Sequence, residues 1–143
     1  MHILVATDAD HVLADITAAF SGPDTSFTVC RDGRDVSPVV GLRTPDIAIV
    51  DLQVGSMGGM AITMALRLDE SSGIGPAVPV LMLLDRAADV HLAKRSAANG
   101  WLCKPLDALS LQLAVDAVLH PPAEAPPAEA PLADTSGTES GPA

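Results

Sequence analysis

The feature that most constrains this chain is a repeated exchange between two hydrophobic patterns. Short runs rich in Val, Ile and Leu lie at His2–Thr7, Thr25–Cys30, Asp46–Asp51, Val78–Leu84 and Gly100–Cys103. Ile47–Val50 and Val78–Leu84 are apolar without alternation, as expected of strands covered on both faces. Between these runs the spacing is helical. Val12, Leu13, Ile16, Ala19 and Phe20 form one expected face, and Met60, Met64, Leu66 and Leu68 another. Val90, Leu92, Ala93 and Ala97 predict a further helix, and Leu109–Leu119 the last, with Asp10 and Asp107 as expected N-caps of the first and last helices. Arg34–Arg43 is weaker because Pro38 interrupts it, so its helix is expected to be short or to begin near the proline. Five strands alternating with five helices predict an α/β fold, a doubly wound, five-stranded parallel sheet.

Composition sets the boundary of that fold. Pro121–Ala143 holds six of the twelve prolines and four acids, has no base and repeats PPAEA. Such a segment buries too little apolar surface to offset its ordering entropy, so the expectation is one domain over 1–120 and a disordered Pro/Ala/Glu-rich tail over 121–143, without an output domain. The chain carries a formal charge of −10, and 14 acids face 8 bases within residues 1–120. No basic stripe is available for a phosphate backbone, so direct nucleic-acid binding is not expected. Cys30 and Cys103 lack neighbours at zinc-ligand spacing and read as two buried thiols. No signal-peptide pattern and no membrane-length apolar run are present, which predicts a cytoplasmic location.

In an open α/β sheet the chemistry sits beyond the carboxyl ends of the strands. The first strand delivers Thr7 and Asp8 there, the third Asp51, the fourth Leu84 and Asp85, and the fifth Lys104-Pro105. Two carboxylates and a backbone carbonyl suit Mg2+, a hard cation that keeps several waters. A carboxylate at a strand end can attack phosphorus, and a lysine can neutralise the phosphoryl oxygens.

The runs DIAIVDLQVGSMGGM (46–60), VPVLMLLDR (78–86) and ANGWLCKPL (98–106), with ILVATDAD (3–10), resemble the receiver domain of bacterial two-component response regulators over residues 1–120. The resemblance implies the flavodoxin-like receiver fold, with Asp51 as the phosphoacceptor and a histidine kinase or phosphotransfer protein as donor. It implies Mg2+ held by Asp8, Asp51 and the Gln53 carbonyl, Lys104 contacting the phosphoryl group, and a cis Lys104–Pro105 bond. It also implies a protein target on the face built from the fourth helix, fifth strand and fifth helix, where Arg86, Lys94, Arg95 and Trp101 fall.

Four departures from the family pattern modify that expectation. Thr7 stands where a second acid is usual, which predicts weak Mg2+ binding. Leu84 replaces the switch hydroxyl and cannot donate to a phosphoryl oxygen, while Asp85 follows with a charge expected to repel one. Trp101 occupies the other switch position, where a smaller aromatic is usual. The chain therefore reads as an atypical stand-alone receiver, or alternatively as a phosphorylation-independent interaction module that binds its partner constitutively. An enzyme is not expected: Asp8-Ala9-Asp10 resembles the paired aspartates of haloacid-dehalogenase-type phosphatases, but their later acids and cap are not visible, and there is no P-loop.

Overall fold

The computed structural model describes residues 1–121. The elements are β1 (His2–Ala6), α1 (Asp10–Ala19), β2 (Ser26–Cys30), α2 (Val36–Leu42), β3 (Ile47–Asp51), α3 (Gly59–Ser71), β4 (Val80–Leu84), α4 (Val90–Arg95), β5 (Gly100–Cys103) and α5 (Ala108–Leu119). Short 3-10 turns at Gly33–Asp35 and Ala87–Asp89 lead into α2 and α4. All five strands are parallel, in the order β2-β1-β3-β4-β5. Of the expected tail, only Pro121 is described, and it is exposed; the rest lies outside the described residues.

Coverage of both sheet faces explains the unalternated strands. Ile3, Val5, Ile47, Ile49, Leu81 and Leu83 face α1 and α5, packing with Val12, Ile16, Leu111 and Val115. Their sequence neighbours Leu4, Ala6, Ala48, Val50 and Val80 pack with Val36, Val40, Ile62 and Leu66 on the opposite side. Met82 and Leu84 join Ala93 there, beneath α4. Each fully buried Leu or Ile contributes roughly 1.5–3 kcal/mol, so the two-sided sheet is the main source of stability.

Several boundaries differ from the sequence expectation for local reasons. β4 starts at Val80 rather than Val78, because Pro79 has no N–H for the ladder and contributes only its carbonyl, to the Ala48 amide at 2.9 Å. Pro38 lies in the first turn of α2, where its missing N–H leaves no bond unmade. Asp10 does not cap α1: Ala9 is the N-cap, and Asp10 pairs with Arg31 at 2.7 Å. Asp107 does cap α5, accepting from the Ser110 amide at 2.8 Å.

Of the expected face of α3, Leu66 is buried and the rest is turned away from the core. Gly59, Ile62, Thr63 and Leu66 are buried, whereas Met64 and Leu68 are 48% and 66% exposed. Both rows have helical spacing, so periodicity alone does not choose between them. At the N-terminus of α3 the buried face comes close to β3, where a Cβ on Gly59 would lie 2.4 Å from the Asp51 carbonyl oxygen.

α4 ends at Arg95, so Ala97 is not helical: it is exposed and has φ +65°. Its N–H donates to Lys94 O and that of Ala98 to Ala93 O, both at 3.1 Å. This is the Schellman pattern, with alanine where glycine is usual. Cys30 is buried and Cys103 only half-buried, and both thiols are free. No helix among the described residues is long and apolar enough to cross a membrane.

Candidate functional site

Strand register assembles the site. β1 and β3 are paired through Ala6↔Val50, β3 and β4 through Asp51↔Leu83, and β4 and β5 through Leu84↔Cys103. One step further along each chain lie Thr7, Asp85 and Lys104, around the Asp51 carboxylate. The sheet order reverses between β1 and β3, so the cleft opens at the switch point of the fold.

Asp51 is 1% exposed and has donors on both oxygens. Lys104 Nζ donates to Oδ1 at 2.8 Å and the Gln53 amide to the same oxygen at 3.2 Å. The Thr7 hydroxyl donates to Oδ2 at 2.9 Å and accepts from the Ala9 amide at 3.1 Å. A buried carboxylate needs such compensation, because an unpaired one is very costly. Lys104 Nζ also donates to Asp85 Oδ1 at 3.0 Å. Burial opposes the charge on Lys104, but its hydrogen bonds to Asp51 and Asp85 and their charges outweigh that cost and raise its pKa above the usual lysine value.

Asp8 is exposed and forms no side-chain hydrogen bond among the described residues. Gly55 lies beside it: a Cβ there would sit 3.1 Å from Asp8 Oδ2, so the glycine leaves the carboxylate uncrowded. Across Asp8, Asp51, Asp85 and Lys104 the formal charge is −2, which a divalent cation balances. The donor set expected for such a cation is all oxygen, the Asp8 and Asp51 carboxylates and the Gln53 carbonyl, and the structure holds Gln53 against Asp51 through its amide. That set suits Mg2+ with much of its water retained, although among the described residues no group of three acids, His or Cys is poised to hold a metal.

Thr7, Asp51 and Lys104 thus meet in one hydrogen-bonded cluster, with Asp8 at its edge and the Lys104–Pro105 bond cis. Leu84 is fully buried among Met82 and Ala93, in the apolar layer beneath α4. Trp101 packs against that same layer, with Lys94 Nζ 5.8 Å from its ring centroid. Among the described residues neither the Leu84 nor the Trp101 side chain makes a polar contact with the cluster, although the Leu84 carbonyl accepts from the Lys104 amide at 2.8 Å. Arg86 pairs with Asp89 at 3.0 Å, and Arg95 is exposed. One contact is not read from the sequence: Asp85 pairs with Lys104, an arrangement foreshadowed by an acid directly after β4 and a lysine directly after β5.

The model of the response regulator receiver domain family matches residues 3–116, all five strands and the whole cluster. The chain belongs to the response regulator receiver family. The transcriptional regulatory protein CseB of Streptomyces avermitilis is 31% identical over 121 residues, which are 83% of this chain and 49% of CseB. This receiver chain therefore spans about half the length of that relative. PilH of Pseudomonas aeruginosa is 25% identical over 119 residues, with 82% of this chain and 96% of PilH covered. The receiver domain of a sensor histidine kinase from Pseudomonas aeruginosa, solved with a magnesium ion in its active site cleft, has the same fold. Its TM-score is 0.71 at 20% identity, over 82% of this chain and 96% of that one.

Proposed function

We propose that this receiver accepts a phosphoryl group on Asp51, with Mg2+ held weakly by Asp8, Asp51 and the Gln53 carbonyl. The observation that carries the reading is the ion pair of buried Asp51 with Lys104 at 2.8 Å, beside an Asp8 carboxylate that has no competing hydrogen bond among the described residues. An Asp51 oxygen attacks phosphorus as the bond to the leaving group breaks, and Lys104 neutralises charge on the equatorial oxygens. When bound, Mg2+ supplies a further positive charge to those oxygens. The donor is a histidine kinase or phosphotransfer protein, the location cytoplasmic, and the role signalling rather than turnover of a metabolite. Borohydride trapping of the acyl phosphate, followed by peptide mapping, tests the assignment. Homoserine is expected at residue 51, and a trapped product elsewhere would sink it.

A second reading is favoured by Leu84, which is 0% exposed and has no hydroxyl to offer the site. In that reading the α4–β5–α5 face, with Lys94, Arg95 and Trp101, engages a protein target whatever the state of Asp51. Equal affinity of wild type and Asp51→Ala for that target supports it. Loss of binding in Asp51→Ala removes it.

A further inference from the structure

Lys104 serves two carboxylates of very different freedom. Asp51 is 1% exposed and receives three donors, so it has no room to turn. The Asp85 side chain is 37% exposed, and its partner in the cluster is the Lys104 ammonium at 3.0 Å. Lys104 has three N–H donors, of which these two pairs use two.

Asp85 is also the first residue of the connection from β4 to α4. Behind it Leu84 is locked in the core. Ahead of it Arg86 pairs with Asp89 at 3.0 Å, and the buried Asp89 directly precedes α4. The Asp85–Lys104 pair therefore ties the β4–α4 loop to the phosphoacceptor through the lysine.

We infer that Asp85 is a resident anion on Lys104 that holds the β4–α4 loop, so that an anionic group arriving at Asp51 takes the lysine and releases the loop. A phosphoryl group brings about −1.5 to −2 of charge close to Asp85, attracting Lys104 and repelling the Asp85 carboxylate together. Asp85 can swing into water, whereas Asp51 cannot. The coupling runs opposite to a switch hydroxyl, which draws the loop toward the phosphoryl group. The inference rests on the reading of Asp51 as the acceptor; the pinning of the loop by Asp85 does not.

Two measurements separate these parts: backbone amide exchange over residues 85–96 without anion, and titration with beryllofluoride and Mg2+ read by fluorine NMR. Asp85→Ala and Asp85→Asn, both at a well-exposed position, are expected to accelerate loop exchange and to bind beryllofluoride about five- to tenfold more tightly than wild type. Wild type saturated with beryllofluoride is expected to exchange as the variants do. Unchanged loop exchange in both variants overturns the inference, as does equal beryllofluoride affinity or slower wild-type exchange on binding. If neither wild type nor variant binds the anion, the acceptor reading of Asp51 falls. Faster exchange in the variants would still support the pinning of the loop in that case.

Discussion

Replacing Thr7 by Asp tests the most unusual part of the site. The Thr7 side chain is buried, and its hydroxyl donates to Asp51 Oδ2 at 2.9 Å while accepting from the Ala9 amide. An ionised Asp has no proton to donate, so the substitution removes a hydrogen bond to a charged group, worth about 1.5–3 kcal/mol. It also places a second carboxylate against a buried one, which adds repulsion. In EDTA, Thr7→Asp is therefore expected to lose at least about 1.5–3 kcal/mol of stability in urea unfolding. Thr7→Val, which deletes the donor without adding charge, should lose about the same 1.5–3 kcal/mol. Magnesium separates the two variants. A third carboxylate should tighten Mg2+ binding at least tenfold, so saturating Mg2+ returns about 1.4 kcal/mol more to Thr7→Asp than to wild type. Thr7→Val should gain no such increment. Unfolding reads the stability change directly, and Trp101, packed beneath α4, supplies the fluorescence signal for it. The reasoning is refuted if Thr7→Asp is as stable as wild type in EDTA, or if Mg2+ stabilises the two proteins equally.

Other substitutions test the scaffold. Gly59→Ala puts a Cβ 2.4 Å from the Asp51 carbonyl oxygen and 3.0 Å from Leu52 Cα. Neither backbone atom can move without the site, so a loss of about 1–3 kcal/mol in urea unfolding is expected, with altered amide chemical shifts around Asp51. Ala97→Gly relieves a positive φ of 65° at the end of α4 and should stabilise by about 0.5–1 kcal/mol on thermal unfolding. His2 is buried, its Nδ1 has no hydrogen-bond partner within bonding geometry among the described residues, and burial, then Arg43, lower its pKa below the ordinary 6.5, against the opposing influence of Asp46 and the Thr44 backbone. The unfolded chain then binds the extra proton, so this stability is present above 6.5 and is lost as pH falls through the lowered value. A urea midpoint that falls below 6.5 in wild type, and falls less in His2→Gln, is the expected result.

The fold was legible because both sheet faces are covered: the unalternated runs at Ile47–Val50 and Val78–Leu84 fit interior strands, and β3 and β4 form within them. Asp107 capped its helix as expected, because an Asx cap is a local device. Helix rotation was not local. Of the expected row Met60, Met64, Leu66 and Leu68 only Leu66 is buried, and the close approach of Gly59 to Asp51 is a tertiary contact that periodicity does not reveal. At the site, strand order announced Asp8, Asp51 and Lys104. The partners of Thr7 and Asp85 were not announced, because they depend on register across three strand pairs. Beside the missing acid, Thr7 adds a donor to Asp51, and Asp85 holds its charge against Lys104.

Phosphoryl acceptance at Asp51 is tested most directly by intact mass after incubation with acetyl phosphate and Mg2+. Wild type is expected to gain the mass of one phosphoryl group, to gain less when Mg2+ is removed with EDTA, and to gain none as Asp51→Asn. An unchanged wild-type mass with donor and Mg2+ in excess would contradict it, as would a gain that persists in Asp51→Asn.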